Sequence, residues 1–198
     1  MTRPILALLV GLALGCAVPV SSRIRELDPM PTLRKLVILP FAADPVRGGA
    51  VEDDATAVVA TRMVEALTQD TDLEIVPPEE AVRARGQAGE ASGAELRRLF
   101  GSDAILSGVV RRYIERSGGP GGSSRPASVW FSLELRTPEG ELLWSGTYDE
   151  TQRGLSEDLG SLGRAWQRGF RFVTAADLAG YGAHQLVRSL EADYGPWS

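Results

Sequence analysis

Cys16 and His184 are the only cysteine and the only histidine in 198 residues, and they bound the chemistry open to the chain. A single thiol cannot close an internal disulfide. Without a second imidazole or a further thiol, zinc sites of the usual ligand types are nearly excluded. On its expected helix His184 falls toward the polar side, away from Leu186 and Leu190, and reads as a solvated residue rather than a general base. Carboxylates gather at Glu52-Asp53-Asp54 and at Glu79-Glu80, both at expected helix starts, where negative charge complements the helix dipole. A hard cation needs about six or more oxygens, and no recognisable spacing nearby supplies the remainder. A glycosidase would need two separated carboxylates in a cleft, and nothing in the sequence favours that pair. There is no Gly-x-Ser-x-Gly, no P-loop and no Gly-x-Gly-x-x-Gly after a strand. The glycines between Gly118 and Gly122 precede no helix, so they read as a hairpin tip and not as a phosphate cradle. No catalytic residue, no metal and no cofactor is expected.

Aromatic residues are the better lead. Trp130 lies on the strand face opposite Phe131, among Ser132, Glu134 and Arg136. One reading covers it with the C-terminal helices. The other leaves it as a partner contact, together with Arg125 and Ser123 in the segment before it, since Trp is enriched at binding hot spots. Trp166 ends a helical stripe and is expected in the core.

Cys16 closes an apolar run that begins at Ile5 and is ten residues long to Leu14, which suits a signal segment and is too short to span a bilayer. Arg3 supplies a positive start, and Gly15 is the small residue before the thiol. Leu12-Ala13-Leu14-Gly15-Cys16 resembles the lipobox of bacterial lipoproteins, with Ala13 where Leu is commoner. The resemblance implies cleavage before Cys16, a diacylglycerol on its thiol, and acylation of its freed amine, with palmitate for example. Acyl chains contribute about 0.8 kcal/mol per buried methylene, so two or three make attachment lasting. Ala17 follows; in enterobacteria an Asp there retains lipoproteins in the inner membrane. The implied location is the periplasmic face of the outer membrane.

The organisation follows from these points: signal peptide over 1–15, lipidated Cys and flexible tether over 16–33, one α/β domain over 34–193, and a tail over 194–198. Apolar and charged fractions of 43% and 24% are ordinary for a globular chain. A formal net charge of −5 without a basic block excludes a nucleic-acid binder. The run over 35–41 is a strand buried on both faces, with Pro40 at its end. Residues 51–69 are helical, 73–76 a short strand, and 79–85 a short helix. Ser92-Gly93-Ala94-Glu95 is a capping box, and Gly101 stops the helix that it opens. Residues 104–110 form a second buried strand. The segment from Val110 to Ser128 is expected as a long mobile arm. Alternation over 129–136 and the run over 142–148 complete a three-stranded antiparallel meander. Leu155, Leu159, Leu162, Trp166 and Phe170 mark one helix, and Thr174 caps the last. The expected fold is a single compact domain, a mixed sheet with that meander packed against helices.

The strand over 35–41, the helix after it and Leu99-Phe100-Gly101-Ser102-Asp103-Ala104, running on to Val110, resemble a group of envelope lipoproteins. In that group a helix ends in Gly-x-Asp/Ala and enters a strand ending in Gly. It includes the lipoprotein activator of penicillin-binding proteins, the curli secretion channel lipoprotein and the amino-terminal domain of the Tol-Pal translocation protein. The resemblance covers roughly 35–150 and implies a protein-binding α/β domain without a catalytic centre. The expected function is that of a non-enzymatic accessory or assembly factor for an envelope export or secretion complex, working as a ring of copies. The alternative is an activator of a cell-wall synthase. A third reading, of a different class, is an envelope hydrolase or small-ligand binder.

Overall fold

The computed structural model describes residues 19–25, 27–45, 49–85, 92–118, 125–152 and 173–195. Cys16, Ser123, Trp166, Trp197 and the expected helix over 155–170 lie outside the described residues.

Strand β2 (Lys35–Ile38) is the centre. Leu36, Val37 and Ile38 are all buried, as the unbroken apolar run requires when both faces are covered. It pairs in parallel with β4 (Glu74–Val76) on one side and with β5 (Ala104–Ile114) on the other. From β5 the sheet continues antiparallel through β6 (Ser128–Arg136) and β7 (Leu142–Thr151), the expected meander. With β1 (Val20–Ile24) at the far edge, the order is β1-β7-β6-β5-β2-β4 in a seven-stranded sheet, with the two-residue β3 (Ala42–Ala43) beside β5.

Four helices are described. Helices α1 (Ala55–Asp70) and α4 (Ala175–Tyr194) share one face of the sheet. Their side chains Val59, Met63, Leu67, Leu178, Ala183 and Leu186 meet Leu36, Ile38, Phe131 and Tyr148 in the large core. Helices α2 (Pro78–Arg85) and α3 (Gly93–Phe100) take the other face. There Ala81 and Leu96 close over Val37, Val76 and Ile105. Neighbouring residues of β2 thus feed opposite cores, as strand alternation dictates.

Local signals explain the boundaries. Ser92 Oγ accepts from the Glu95 backbone N–H, and Gly101 ends α3 at φ 68°, a left-handed conformation natural to glycine. The Gly-Ser-Asp that follows has a defined task. Asp103 Oδ2 accepts from the backbone N–H of Arg34 and of Lys35 at 2.9 and 3.0 Å, tying the start of β5 to the start of β2. Thr174 and Asp177 form a reciprocal capping box at α4.

Three expectations are corrected. The stretch over 16–33 is not all tether, because Val20–Ile24 forms β1, antiparallel to β7 from Val20↔Tyr148 to Ile24↔Trp144. Its middle residues Ser21, Ser22 and Arg23 are exposed and polar, so no apolar pattern announces it. Backbone pairing holds it, reinforced where Ser22 Oγ donates to Asp193 Oδ2 at 2.6 Å. Part of the expected arm after Val110 is sheet among the described residues: β5 runs on to Ile114 across an irregularity between Val110 and Arg112, and Ser117 pairs with Arg125. Helix α1 starts at Ala55, later than expected, because Val51 is drawn into a parallel bridge with Tyr113 and Ala50 C=O accepts from the Tyr113 N–H. Glu52, Asp53 and Asp54 therefore precede the helix, and Glu52 accepts instead from the Glu115 N–H at 2.9 Å.

Candidate interaction surface

On the meander, the face away from α1 and α4 is polar. Ser132 and Thr147 hydroxyls meet at 3.1 Å, and Arg136 donates to Glu134 at 2.8 and 3.0 Å. Trp130 sits half-buried on this face, directly across from Arg112 on β5. The Arg112 guanidinium lies 5.6 Å from the indole centroid, a cation–π arrangement. Arg112 also donates to Ser128 Oγ at 2.6 Å and forms an ion pair with Asp149. The indole Nε1 is buried and has no hydrogen-bond partner. Helix α4 packs on the opposite face, so this C-terminal helix does not cover Trp130.

Arg125 is exposed, and its backbone exchanges hydrogen bonds with Ser117 at 3.1 and 3.2 Å. The residue that meets Trp130 is Arg112, which sequence reasoning missed. The signal was the change to polar residues at Arg111-Arg112. Without the β5–β6 register, nothing said that Arg112 and Trp130 stand opposite each other.

His184 is half-buried and not fully solvated. Its Nδ1 is 2.7 Å from Asp70 Oδ2, joining the middle of α4 to the end of α1, with about a third of the imidazole exposed. This is a helix-to-helix tie. Glu115 likewise serves the frame: both its carboxylate oxygens accept from the Ala175 N–H at the start of α4. Among the described residues no three His, Cys, Asp or Glu side chains come together as metal ligands, and no helix is long and apolar enough to cross a membrane.

Two phenols titrate high. Tyr113 is pushed up to about 12, first by burial and then by Glu115, Asp54 and Glu52, with Arg62 opposing. Tyr194 is also pushed up to about 12, by burial and by Asp103. Its hydroxyl donates to the Pro31 carbonyl.

A groove of about 450 Å³ opens where β2 and β4 end. Pro40 and Phe41 form its floor. The outer side of α1 (Ala57, Ala60, Val64) and the start of α2 (Pro78, Val82) form its walls. Glu79 is its only charged lining residue. Val82 is 50% exposed. Gly108 keeps this region open to Phe41: a Cβ there would stand 2.7 Å from the Phe41 ring.

No protein-family model matches the chain, and no curated protein matches it. Solved structures do. PelC from Paraburkholderia phytofirmans, solved as a dodecamer, is 17% identical, with a TM-score of 0.53 over 86% of this chain and 98% of its own. Lipoprotein GNA1162 from Neisseria meningitidis is 18% identical over 68% of this chain and 94% of its own, with a TM-score of 0.49. A minor lipoprotein from Acinetobacter baumannii is 10% identical over 84% of this chain and 98% of its own, with a TM-score of 0.35. What the chain shares with PelC at such identity is the fold.

Proposed function

We propose that the chain is an envelope lipoprotein, anchored through Cys16 at the periplasmic face of the outer membrane. It acts there as a non-enzymatic accessory factor for an export or secretion complex and works as a ring of identical copies. The observation that carries this reading is the likeness to PelC, which is solved as a dodecamer and is matched over 98% of its length. Attachment is supported by the lipobox-like Leu12 to Cys16. The position of β1 supports a partner at the same membrane. Only residues 17–19 separate Cys16 from Val20, a reach of at most about 14 Å. That is too short for a domain that must find a synthase across the cell wall. The absence of a nucleophile motif and of a second histidine in the sequence supports a role without catalysis.

The test is mass and assembly together. Protein extracted from membranes in mild detergent should carry acyl chains on Cys16 and run as a homo-oligomer by native mass spectrometry. Cys16→Ser should abolish acylation. His184→Ala, and separately Asp53→Ala with Asp54→Ala, should keep function in the cell at normal protein level. A monomer that crosslinks chiefly to an inner-membrane cell-wall synthase would overturn the assembly reading. Loss of function in the His184 or Asp53/Asp54 variants with the fold intact would restore the enzyme reading.

A further inference from the structure

We propose that β1 of one copy pairs with β4 of the next, so that the sheet runs on from subunit to subunit. The inference rests on the ring reading and names the contact that would build it.

The sheet has two edges, and their backbone groups carry the argument. On β1 the Arg25 N–H donates to the Leu143 carbonyl, and the Pro19 carbonyl accepts from the Asp149 N–H. In this antiparallel ladder the odd-numbered residues therefore turn their backbone groups to β7, and Val20, Ser22 and Ile24 turn theirs outward. On β4 the Glu74 N–H donates to the Arg34 carbonyl, so Glu74 and Val76 face β2 while Ile75 faces outward. The Leu73 carbonyl points the same way. Pro77 has no N–H and ends the edge there. Among the described residues no other strand pairs with either outward set. Such open edges are templates for a further strand. β4 is parallel to β2 and β5, and β6, β7 and β1 alternate from there, so β1 runs opposite to β4. Copies set side by side in one orientation bring β1 against β4 antiparallel.

Side-chain faces agree with that pairing. Val20, Ile24, Leu73 and Ile75 all pack toward the core under α1 and α4. With Ser22 opposite Ile75, each donates its N–H to the other's carbonyl, and the Ile24 N–H meets the Leu73 carbonyl. On the other face the same register sets Arg23 opposite Glu74 and Arg25 opposite Asp72. All four are exposed. Arg23, Arg25 and Asp72 have no side-chain partner among the described residues. Glu74 uses Oε1 for Lys35 at 2.6 Å, which leaves Oε2 for Arg23. Opposite charges facing each other across antiparallel strands stabilise the pairing. A slip of two residues in either direction keeps only one of these two edge pairs. Pairing β1 with itself sets arginine against arginine or leaves it unmatched. The matching edge is therefore β4 of a second copy, a head-to-tail contact of the kind that closes rings.

Disulfide trapping on full-length protein in mild detergent tests this, with the wild type and its lone Cys16 as background. Arg23 and Glu74 would form a non-hydrogen-bonded pair with Cα atoms about 4.5 Å apart, within disulfide range. Inside one chain β1 and β4 are the two edges of a six-strand path, roughly 24 Å apart, so a bridge between them joins two copies. Arg23→Cys with Glu74→Cys should give a ladder of linked subunits on oxidation. Ser21→Cys with Glu74→Cys, one step out of register, should not. Arg25→Glu should shift native mass spectra toward monomer, and adding Asp72→Arg should bring the oligomer back, with melting midpoints showing every variant folded. An oligomer that forms no bridge between positions 23 and 74 and ignores Arg25→Glu would overturn the edge pairing and leave the ring reading standing. Dimers linked through Arg23→Cys alone would mean that β1 meets β1, against this proposal. A monomeric wild type would remove the ring reading and this inference together.

Discussion

Two glycines on α4 show how much a single Cβ can decide. Replacing Gly by Ala inside a helix gains about 1 kcal/mol from backbone propensity alone. At Gly180 the nearest atom to an added Cβ is Arg62 Cδ at 3.5 Å, the body of a flexible side chain, so the gain survives. At Gly182 the Cβ would stand 2.4 Å from Tyr148 Cδ1. Tyr148 is fully buried against Phe131, with ring centroids 5.6 Å apart, and cannot retreat. Overpacking of this kind costs about 1–3 kcal/mol, which exceeds the propensity gain. Denaturant melts should therefore show Gly180→Ala stabilised and Gly182→Ala destabilised. The phenols make a second expectation. An unfolded tyrosine releases its proton near pH 10, whereas Tyr113 and Tyr194 hold theirs to about 12. Between those values the unfolded chain binds fewer protons than the folded one. Stability is thus fully present below pH 10, falls as pH rises through that range, and levels off above 12. Tyr194→Phe should flatten part of that slope in melts at pH 8, 10, 11 and 12.

Among the elements, β1 depends most on its neighbours. Asp193 Oδ2 accepts both from Ser22 Oγ on β1 and from the Trp144 indole Nε1 at 2.9 Å. Trp144 is 1% exposed, so Asp193→Ala strands a buried donor at a cost of about 1–3 kcal/mol and releases the edge strand together. Hydrogen exchange should quicken at the β1 amides while β5 and β6 keep their protection. Unchanged exchange at β1 would mean that backbone pairing with β7 alone holds it. The same strand shows where sequence reading stops. The strand over 35–38, the α3 caps at Ser92 and Gly101, and the meander were all legible, because apolar period and turn chemistry are local. β1 was not, since Ser21, Ser22 and Arg23 gain their order only from a strand well over a hundred residues away. The His184–Asp70 tie and the Arg112–Trp130 pair were hidden for the same reason. Each joins residues that local spacing leaves unrelated, and each needed a register or a helix crossing to be seen.

For the whole molecule, the tether is the quantity that β1 changes. Read as coil from Cys16 to Lys35, it would reach at most about 60–65 Å. With β1 fixed to β7 and the Pro19 carbonyl accepting from the Asp149 N–H, only residues 17–19 remain between Cys16 and the sheet. With Cys16 acylated as proposed, the domain would be held close to its own membrane. In the proposed assembly, so short a link would limit the orientations that neighbouring copies take, which favours closing a ring. The consequence can be measured by lengthening the chain. A Gly/Ser insert of about 20 residues before Pro19 would add a coil with a typical span of roughly 25 Å. Acylation, melting midpoint and the pairing of β1 should be unchanged. Envelope function in the cell should fall, because on the proposed reading the domain no longer meets its partner close to the membrane. Full function with the long tether would mean that the partner is met away from the membrane, and it would return weight to the synthase-activator reading.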